Sequence, residues 1–292
     1  MRRYGWHTAL LVVFALATIA LPILVRQWRA SIDRNRLRQA AEPFRIADNF
    51  FYVGNNNTSA FLITAPDADA HVLIDSGYPP LTLAGIRKLG FAIDDVRELA
   101  ASDAHGGADG MWALQHATGA HLWASAAGAR VIAAGGSDPD FREPLKFFSR
   151  FGALRYPPAH VDHLLKDGDT IRTGATVVTA HLTPGSTRGC ISWSFAVRDG
   201  NRTLNVVIAC SLERIGAWRY AGQDADLEHS FRVLRSLPVD IWATSSSRAW
   251  GRYRKYAASV DAKNPVDAFI DPAGFRAYVD DAEDELRRDV LH

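Results

Sequence analysis

The sequence predicts an α/β protein in which two β-sheets pack face to face with helices outside them, a single four-layer αββα domain preceded by an N-terminal hydrophobic helix. Three observations predict it. Short strand-like runs bounded by Gly, Asn and Asp give way to helical spacings, and this happens twice along the chain. The chain has 292 residues, 48% of them apolar, which is enough for one large core. An uncharged run from Thr8 to Val25, opened by Arg2 and Arg3 and closed by Arg26 and Arg29, stands apart from all that follows.

That run comes first. As a helix, residues 8–25 would extend roughly 27 Å, close to the hydrocarbon thickness of a bilayer. Residues 1–30 are therefore expected to be a signal peptide or signal anchor, with residues 8–25 making the membrane contact. The uncleaved anchor is favoured, because Leu21, Pro22 and Ile23 prolong the apolar run past the small-residue segment Thr18-Ile19-Ala20. Residues 31–43 read as a polar juxtamembrane linker and residues 44–292 as the folded domain. Arg26, Arg29, Arg34, Arg36 and Arg38 outnumber the arginines before the run, which by itself favours a cytoplasmic domain.

Phe50 to Val53 and Ala60 to Ile63 read as paired strands joined by the turn Gly54-Asn55-Asn56-Asn57. Val72 to Ile74 is a third strand, ended by Asp75-Ser76-Gly77. Leu83 to Leu89 reads as a helix, Val96 to Ala100 as a strand, and Gly110 to Thr118 as a helix stopped by Gly119. Ala120 to Trp123 is the next strand. The second half repeats the alternation with strands at 170–171, 176–181, 190–197 and 204–210. Asp199-Gly200 marks a hairpin. Leu227, Phe231, Leu234 and Leu237 carry helical spacing over 226–237. Residues 239–242 read as a strand, and 271–290 as a closing helix entered through Asp271-Pro272.

The net charge of +1, with acidic and basic residues mixed, gives no basic face of the kind nucleic acid requires, so none is expected as a partner. Two cysteines make no disulfide framework. Cys190 and Cys210 flank the Asp199-Gly200 hairpin at nearly equal distance. Direct cross-strand bridging strains a disulfide, so two buried thiols are expected.

Several motifs resemble the metallo-β-lactamase fold: Asn49-Phe50-Phe51-Tyr52-Val53-Gly54, Ser59-Ala60-Phe61-Leu62-Ile63 and Leu73-Ile74-Asp75-Ser76-Gly77. Others resemble its subclass B3, among them Ile86-Arg87-Lys88-Leu89-Gly90-Phe91, Leu165-Lys166-Asp167-Gly168-Asp169 and Ala180-His181-Leu182-Thr183-Pro184-Gly185. Leu237-Pro238-Val239-Asp240 and Ile270-Asp271-Pro272-Ala273-Gly274-Phe275 complete the set. The resemblance runs from about residue 44 to the end. It implies an exported zinc hydrolase with a His-x-His-x-Asp-His loop after the strand at Val96.

In that loop this chain reads Ser102-Asp103-Ala104-His105-Gly106-Gly107-Ala108-Asp109-Gly110. Counted forward from Val96, Asp103 falls at the first histidine, His105 at the second, Gly107 at the aspartate and Ala108 at the last histidine. Counted back from Gln115, the register shifts by one and no ligand type is in place. The remaining ligand positions fall at Ser186, after Thr183-Pro184-Gly185, and at Ser245. Zinc catalysis needs three or four N, O or S ligands and an open position, where bound water ionises near a pKa of about 7. Glycine and alanine supply no donor, and a neutral serine hydroxyl is a poor one.

The resemblance therefore implies a catalytically impaired relative without a cofactor, a membrane-tethered domain that binds rather than cleaves; its small-molecule or protein ligand is unknown from the sequence. The alternative is a weak zinc-dependent hydrolase of β-lactams or esters on a reduced mononuclear site at Asp103 and His105, with Asp109 as a further weak ligand. Against that stands a loop relaxed by glycine, with Asp103 and Asp109 solvated and His105 a hydrogen-bonded vestige. A metal-independent nucleophile at Ser186 or Ser245 needs a base in reach. His181 is near Ser186, but the family carries a histidine there besides its ligands, which implies a structural role. The export habit of the family favours a periplasmic domain over the cytoplasmic one suggested by the arginines.

Overall fold

The computed structural model describes Asn35 and residues 39–290, apart from Pro66, Phe151, Ala153, Ile215 and Ala217. The chain divides into the units Met1–Ala40 and Ala41–His292, and every element below belongs to the second. The apolar run 8–25 lies outside the described residues. Among the described residues no helix is long and apolar enough to cross a membrane.

Seven strands and four helices form the first half in chain order: β1 Phe44–Ala47, β2 Phe50–Tyr52, β3 Phe61–Ile63, β4 His71–Ile74, α1 Pro79–Lys88, β5 Val96–Ala100, α2 Met111–Thr118, β6 His121–Ser125, α3 Ala126–Ala133, α4 Leu145–Arg150 and β7 His163–Leu165. The strands make one sheet in sequence order, antiparallel up to β4 and parallel from β4 to β7. The second half supplies β8 Thr170–Thr173, β9 Thr176–Leu182, β10 Ile191–Asp199, β11 Arg202–Ala209, α5 Gln223–Ser236, β12 Ile241–Thr244, α6 Arg252–Val260 and α7 Pro272–Val290. Its sheet runs β12-β11-β10-β9-β8.

Alternation along the strands builds two cores. Phe61, Ile63, Val72 and Ile74 face the second sheet, where Trp193, Val206 and Ile208 meet them. Leu62, Leu73, Leu99 and Leu122 face the other way, against Ile86 of α1, Met111 and Leu114 of α2, and Ile132 of α3. Leu227 and Phe231 of α5 join the inter-sheet core, together with Phe275 and Val279 of α7. Strands 61–63 and 71–74 are buried at every residue, which explains why they read as unbroken apolar runs.

Local signals act as expected in several places. Gly119, at φ 69°, closes α2, its amide bonding to the Gln115 carbonyl at 2.8 Å. Gly200, at φ 58°, makes the tight link between Asp199 and Arg202, which pair across the β10–β11 ladder.

Elsewhere the structure corrects the reading. The last strand lies at 241–244 rather than 239–242. Asp240 still donates its amide to the Asn205 carbonyl at 2.9 Å, but the Asn205 amide goes to its carboxylate at 2.7 Å and its carbonyl accepts the Asp271 amide at 2.9 Å, so regular pairing starts only at Ile241. Cys190 and Cys210 are not two thiols but a disulfide, with Cα atoms 5.7 Å apart. They sit just beyond the ends of β10 and β11, and the ladder ends at Trp193 and Ile208. Their Cα separation lies within the range that a disulfide spans.

Candidate functional site

The loops that follow β4 and β5 and the turn between β9 and β10 meet at one end of the sheets. The link is made in backbone: Asp75 donates to the Ala100 carbonyl (2.9 Å), Ser76 to Gly107 (2.9 Å) and Ile191 to Ser102 (2.8 Å). Ser102 anchors the β5 loop in two further directions. Its amide donates to Asp75 Oδ1 at 2.8 Å and its hydroxyl accepts the Trp193 indole at 3.0 Å.

Asp103 is buried, and its Oδ1 accepts the amides of His105 at 2.6 Å and Gly107 at 3.1 Å. Asp109 bonds to the Ser76 hydroxyl at 3.2 Å. The expectation of two solvated carboxylates is corrected for Asp103, which is buried because the short glycine-rich turns leave amides that need an acceptor, whereas the half-buried Asp109 accepts the Ser76 hydroxyl. Gly107 is pressed against the end of β4, where an added Cβ would stand 2.4 Å from Asp75 Oδ1. Ala108 is buried in the α1–α2 core. Gly107→Ala is expected to cost about 1–3 kcal/mol through this overpacking; chemical denaturation reads it directly.

His105 is held from two directions that are distant in sequence. Its Nε2 lies 2.8 Å from Asp138 Oδ2 and 3.2 Å from Trp218 Nε1. One nitrogen cannot both donate to a carboxylate and accept from an indole, and the shorter, charge-assisted contact takes the proton. The ring packs against Phe141 and Trp218, centroids 5.3 Å and 5.2 Å away. Burial alone would raise the Asp138 carboxyl. The hydrogen bonds from His105 and the Asp140 amide, with the charges of His105 and Arg188, outweigh burial and hold it below the usual carboxylate range. His105→Ala should therefore leave a poorly compensated carboxylate and cost about 1–3 kcal/mol near neutral pH, read by thermal unfolding. With the Asp138 pKa depressed, the contribution of this pair is present above the unfolded carboxylate pKa. It disappears as pH falls through the lower folded value.

Asp75, at the mouth of β4, is fully buried and adopts φ 61°. Burial, with the neighbouring charge of Asp103, pushes its pKa up to about 7 against the opposing hydrogen bonds from Ser102. Its Oδ2 has no hydrogen-bond partner. The hydroxyl of Tyr156, donating to the Ala104 carbonyl, is held protonated by burial and by the charges of Asp103, Asp109 and Asp138.

Ser186 is buried in the β9–β10 turn. Ser245 follows β12, and its carbonyl accepts the Ser59 amide at 2.8 Å. His181 does not serve Ser186: its Nε2 is 2.7 Å from the Ser194 hydroxyl on β10. His116 bonds to the Trp112 carbonyl on its own helix, and His121 is exposed near Glu98. Among the described residues no three His, Cys, Asp or Glu side chains gather as a metal site. His105 keeps one imidazole nitrogen, Nδ1, outside its bond to Asp138. At the other positions that the resemblance marks, Gly107 and Ala108 bring no donor and Ser186 and Ser245 bring only neutral hydroxyls, where zinc needs three or four ligands. Zinc does not fit this set.

The protein resembles known structures over nearly its whole folded unit. The Rm3 metallo-β-lactamase is 34% identical, superimposes with a TM-score of 0.76, and is matched over 86% of this chain and 94% of its own. The chain belongs to the metallo-β-lactamase family. BJP-1 of Bradyrhizobium japonicum, a subclass B3 metallo-β-lactamase, is 26% identical with a TM-score of 0.76, over 86% of this chain and 94% of that one. A curated relative, the hydroxyacylglutathione hydrolase of Jannaschia sp. (strain CCS1), is 26% identical over 206 residues, 70% of this chain and 68% of the relative. No protein-family model matches the chain. Within this hydrolase family, the sequence reading identified His105 but missed Asp138, Phe141, Tyr156 and Trp218. These lie 33 or more residues away, in the separate segments 138–156 and around 218 that carry no family motif, and nothing in their local spacing marks them.

Proposed function

We propose that this metallo-β-lactamase relative no longer hydrolyses substrates through a zinc centre and acts as a binding domain tethered to the membrane through residues 8–25. The observation that carries this reading is the loop 102–110. Asp103 and Asp109 are committed to loop amides and Ser76, and Gly107 is packed on Asp75. His105 stands as a lone imidazole held by Asp138. Each residue has a structural partner that stabilises the loop as it is.

A periplasmic domain is part of the same proposal. The Cys190–Cys210 bridge supports it, because disulfides persist in oxidising compartments and are rare in the cytosol. Protease added to intact cells should cleave the folded domain after the outer barrier is opened; full protection would place it in the cytoplasm instead.

The functional test is hydrolysis. Full-length protein supplied with excess zinc should leave a chromogenic β-lactam and a thioester of glutathione uncleaved. Turnover that disappears in His105→Ala and in chelator would replace this reading with that of a weak zinc-dependent hydrolase. Turnover that survives chelator and disappears on substituting Ser186 or Ser245 would point to a serine nucleophile.

A further inference from the structure

Three of the seven large apolar side chains that stand exposed among the described residues fall in one short stretch. Phe147 and Phe148 on helix α4 are 49% and 52% exposed, and Leu154, in the turn that follows, is 46% exposed. Helix α4 docks through its other side, where Ser149 is buried and Leu145, one turn before it, is half-buried. The two phenylalanine rings stand edge to face, centroids 5.6 Å apart. Single exposed apolar residues are ordinary on a protein surface, whereas a cluster marks a contact.

Leu154 adds a backbone observation. It adopts φ 60°, a left-handed conformation that leucine takes only under constraint. The constraint is local: the Arg155 amide bonds to the Gly152 carbonyl at 3.3 Å and the Tyr156 amide to the Gly135 carbonyl at 3.2 Å. The fold thus holds in strained geometry a side chain that it does not bury.

The charges beside these side chains are almost all of one sign. Arg142, Lys146, Arg150 and Arg155 are exposed, and no hydrogen bond or ion pair engages their side chains among the described residues. The one acid of the stretch, Glu143, accepts the Phe147 amide at 3.1 Å. Elsewhere exposed arginines are matched, Arg202 by Asp199 and Asp267, Arg235 by Asp280 and Glu283. An apolar protein groove would have to strip water from the unmatched cations around the rings. A lipid surface takes the rings into the acyl boundary and leaves the cations among the headgroups, their alkyl stems lying along the apolar rim.

We infer that residues 142–155 make an interfacial contact with a bilayer of anionic phospholipid, Phe147, Phe148 and Leu154 entering the acyl boundary and the neighbouring cations meeting the headgroup phosphates. The inference rests on the reading that the domain stands beside a membrane. It adds to the tether a second contact, which sets the face that the domain turns to the bilayer.

Full-length Phe148→Cys, labelled at that thiol with the environment-sensitive dye NBD, reports the contact in reconstituted vesicles. Cys190 and Cys210 are bridged to each other and do not take the label. Emission should be about twofold higher or more in vesicles containing phosphatidylglycerol than in phosphatidylcholine alone. The rise should shrink in about 0.5 M salt. The same dye at Tyr253→Cys, a site 75% exposed on α6, should respond to neither change. Lys146→Glu combined with Arg150→Glu should abolish the rise at 148; both side chains are exposed, so the fold tolerates the change. Flotation on neutral vesicles reads the tether separately. Protein that does not float there, yet gains emission at 148 with phosphatidylglycerol, would remove the tether and keep this contact. Equal emission in the two lipids, or a rise that survives the double charge variant, would overturn the contact whether or not the protein floats. Emission that follows protein concentration in detergent instead would overturn it in favour of a second copy of the chain.

Discussion

Asp75→Asn is expected to make the protein more stable than its parent above pH 7 and to flatten its pH dependence below. The carboxyl of Asp75 is fully buried and titrates at about 7, against an ordinary value near 3.9 when unfolded. Between these values the unfolded chain has lost a proton that the folded chain keeps. The folded state binds more protons there, so stability falls as pH rises from about 4 to about 7, and above that window the penalty is complete. Three units correspond to up to about 4 kcal/mol. Asparagine keeps the Oδ1 that accepts the Ser102 amide at 2.8 Å and tolerates the positive φ. Its Nδ2 replaces an oxygen that has no partner, and the new orphan donor costs about 1–3 kcal/mol, so the net gain is largest when the parent carboxylate is fully ionised. Denaturant melts of both proteins at pH 4.5 and pH 8 decide it. A parent profile flat over this range, with Asp75→Asn the weaker protein at pH 8, would mean that a positive charge compensates the carboxylate.

Removing the disulfide has the second large effect. Cys190 and Cys210 are 20 residues apart, and closing a loop of that length stabilises by about 3 kcal/mol in the chain-entropy description. The bridge also lies against the loop 102–110: Cys210 Sγ is 3.5 Å from the Ser102 carbonyl. Replacing both cysteines with serine should lower the melting temperature by roughly 6–12 °C for a domain of this size. Reductant should reproduce the drop in the parent and leave the variant unchanged. A parent whose melting is insensitive to reductant would show that the bridge is not formed.

The contrast between what could and could not be read from the chain has a physical basis. Strands such as Val96–Ala100 and the turn at Gly200 are written in local patterns of burial and backbone freedom. Helix α3 spans only eight residues, Ala126 to Ala133, too few to repeat a helical spacing; its start is fixed by Ser125, whose hydroxyl accepts the Gly128 amide. Helix α6 is polar, and its placement rests on Lys255, buried beside Asp271 at 3.0 Å and facing the Trp242 ring. Those partners are known only once the chain is folded. The site divides in the same way. What stands at the positions that the resemblance marks, Gly107, Ala108, Ser186 and Ser245, is legible in the sequence. The carboxylate that grips His105 and the packing that fills the space beside Gly107 come from distant segments.

The central claim concerns coordination, and metal content after equilibrium dialysis measures it most directly. Full-length protein dialysed against micromolar zinc, then against metal-free buffer, should retain no stoichiometric zinc, and His105→Ala should behave as the parent does. One or more zinc ions retained per chain, and lost in His105→Ala, would show that this loop still assembles a metal centre.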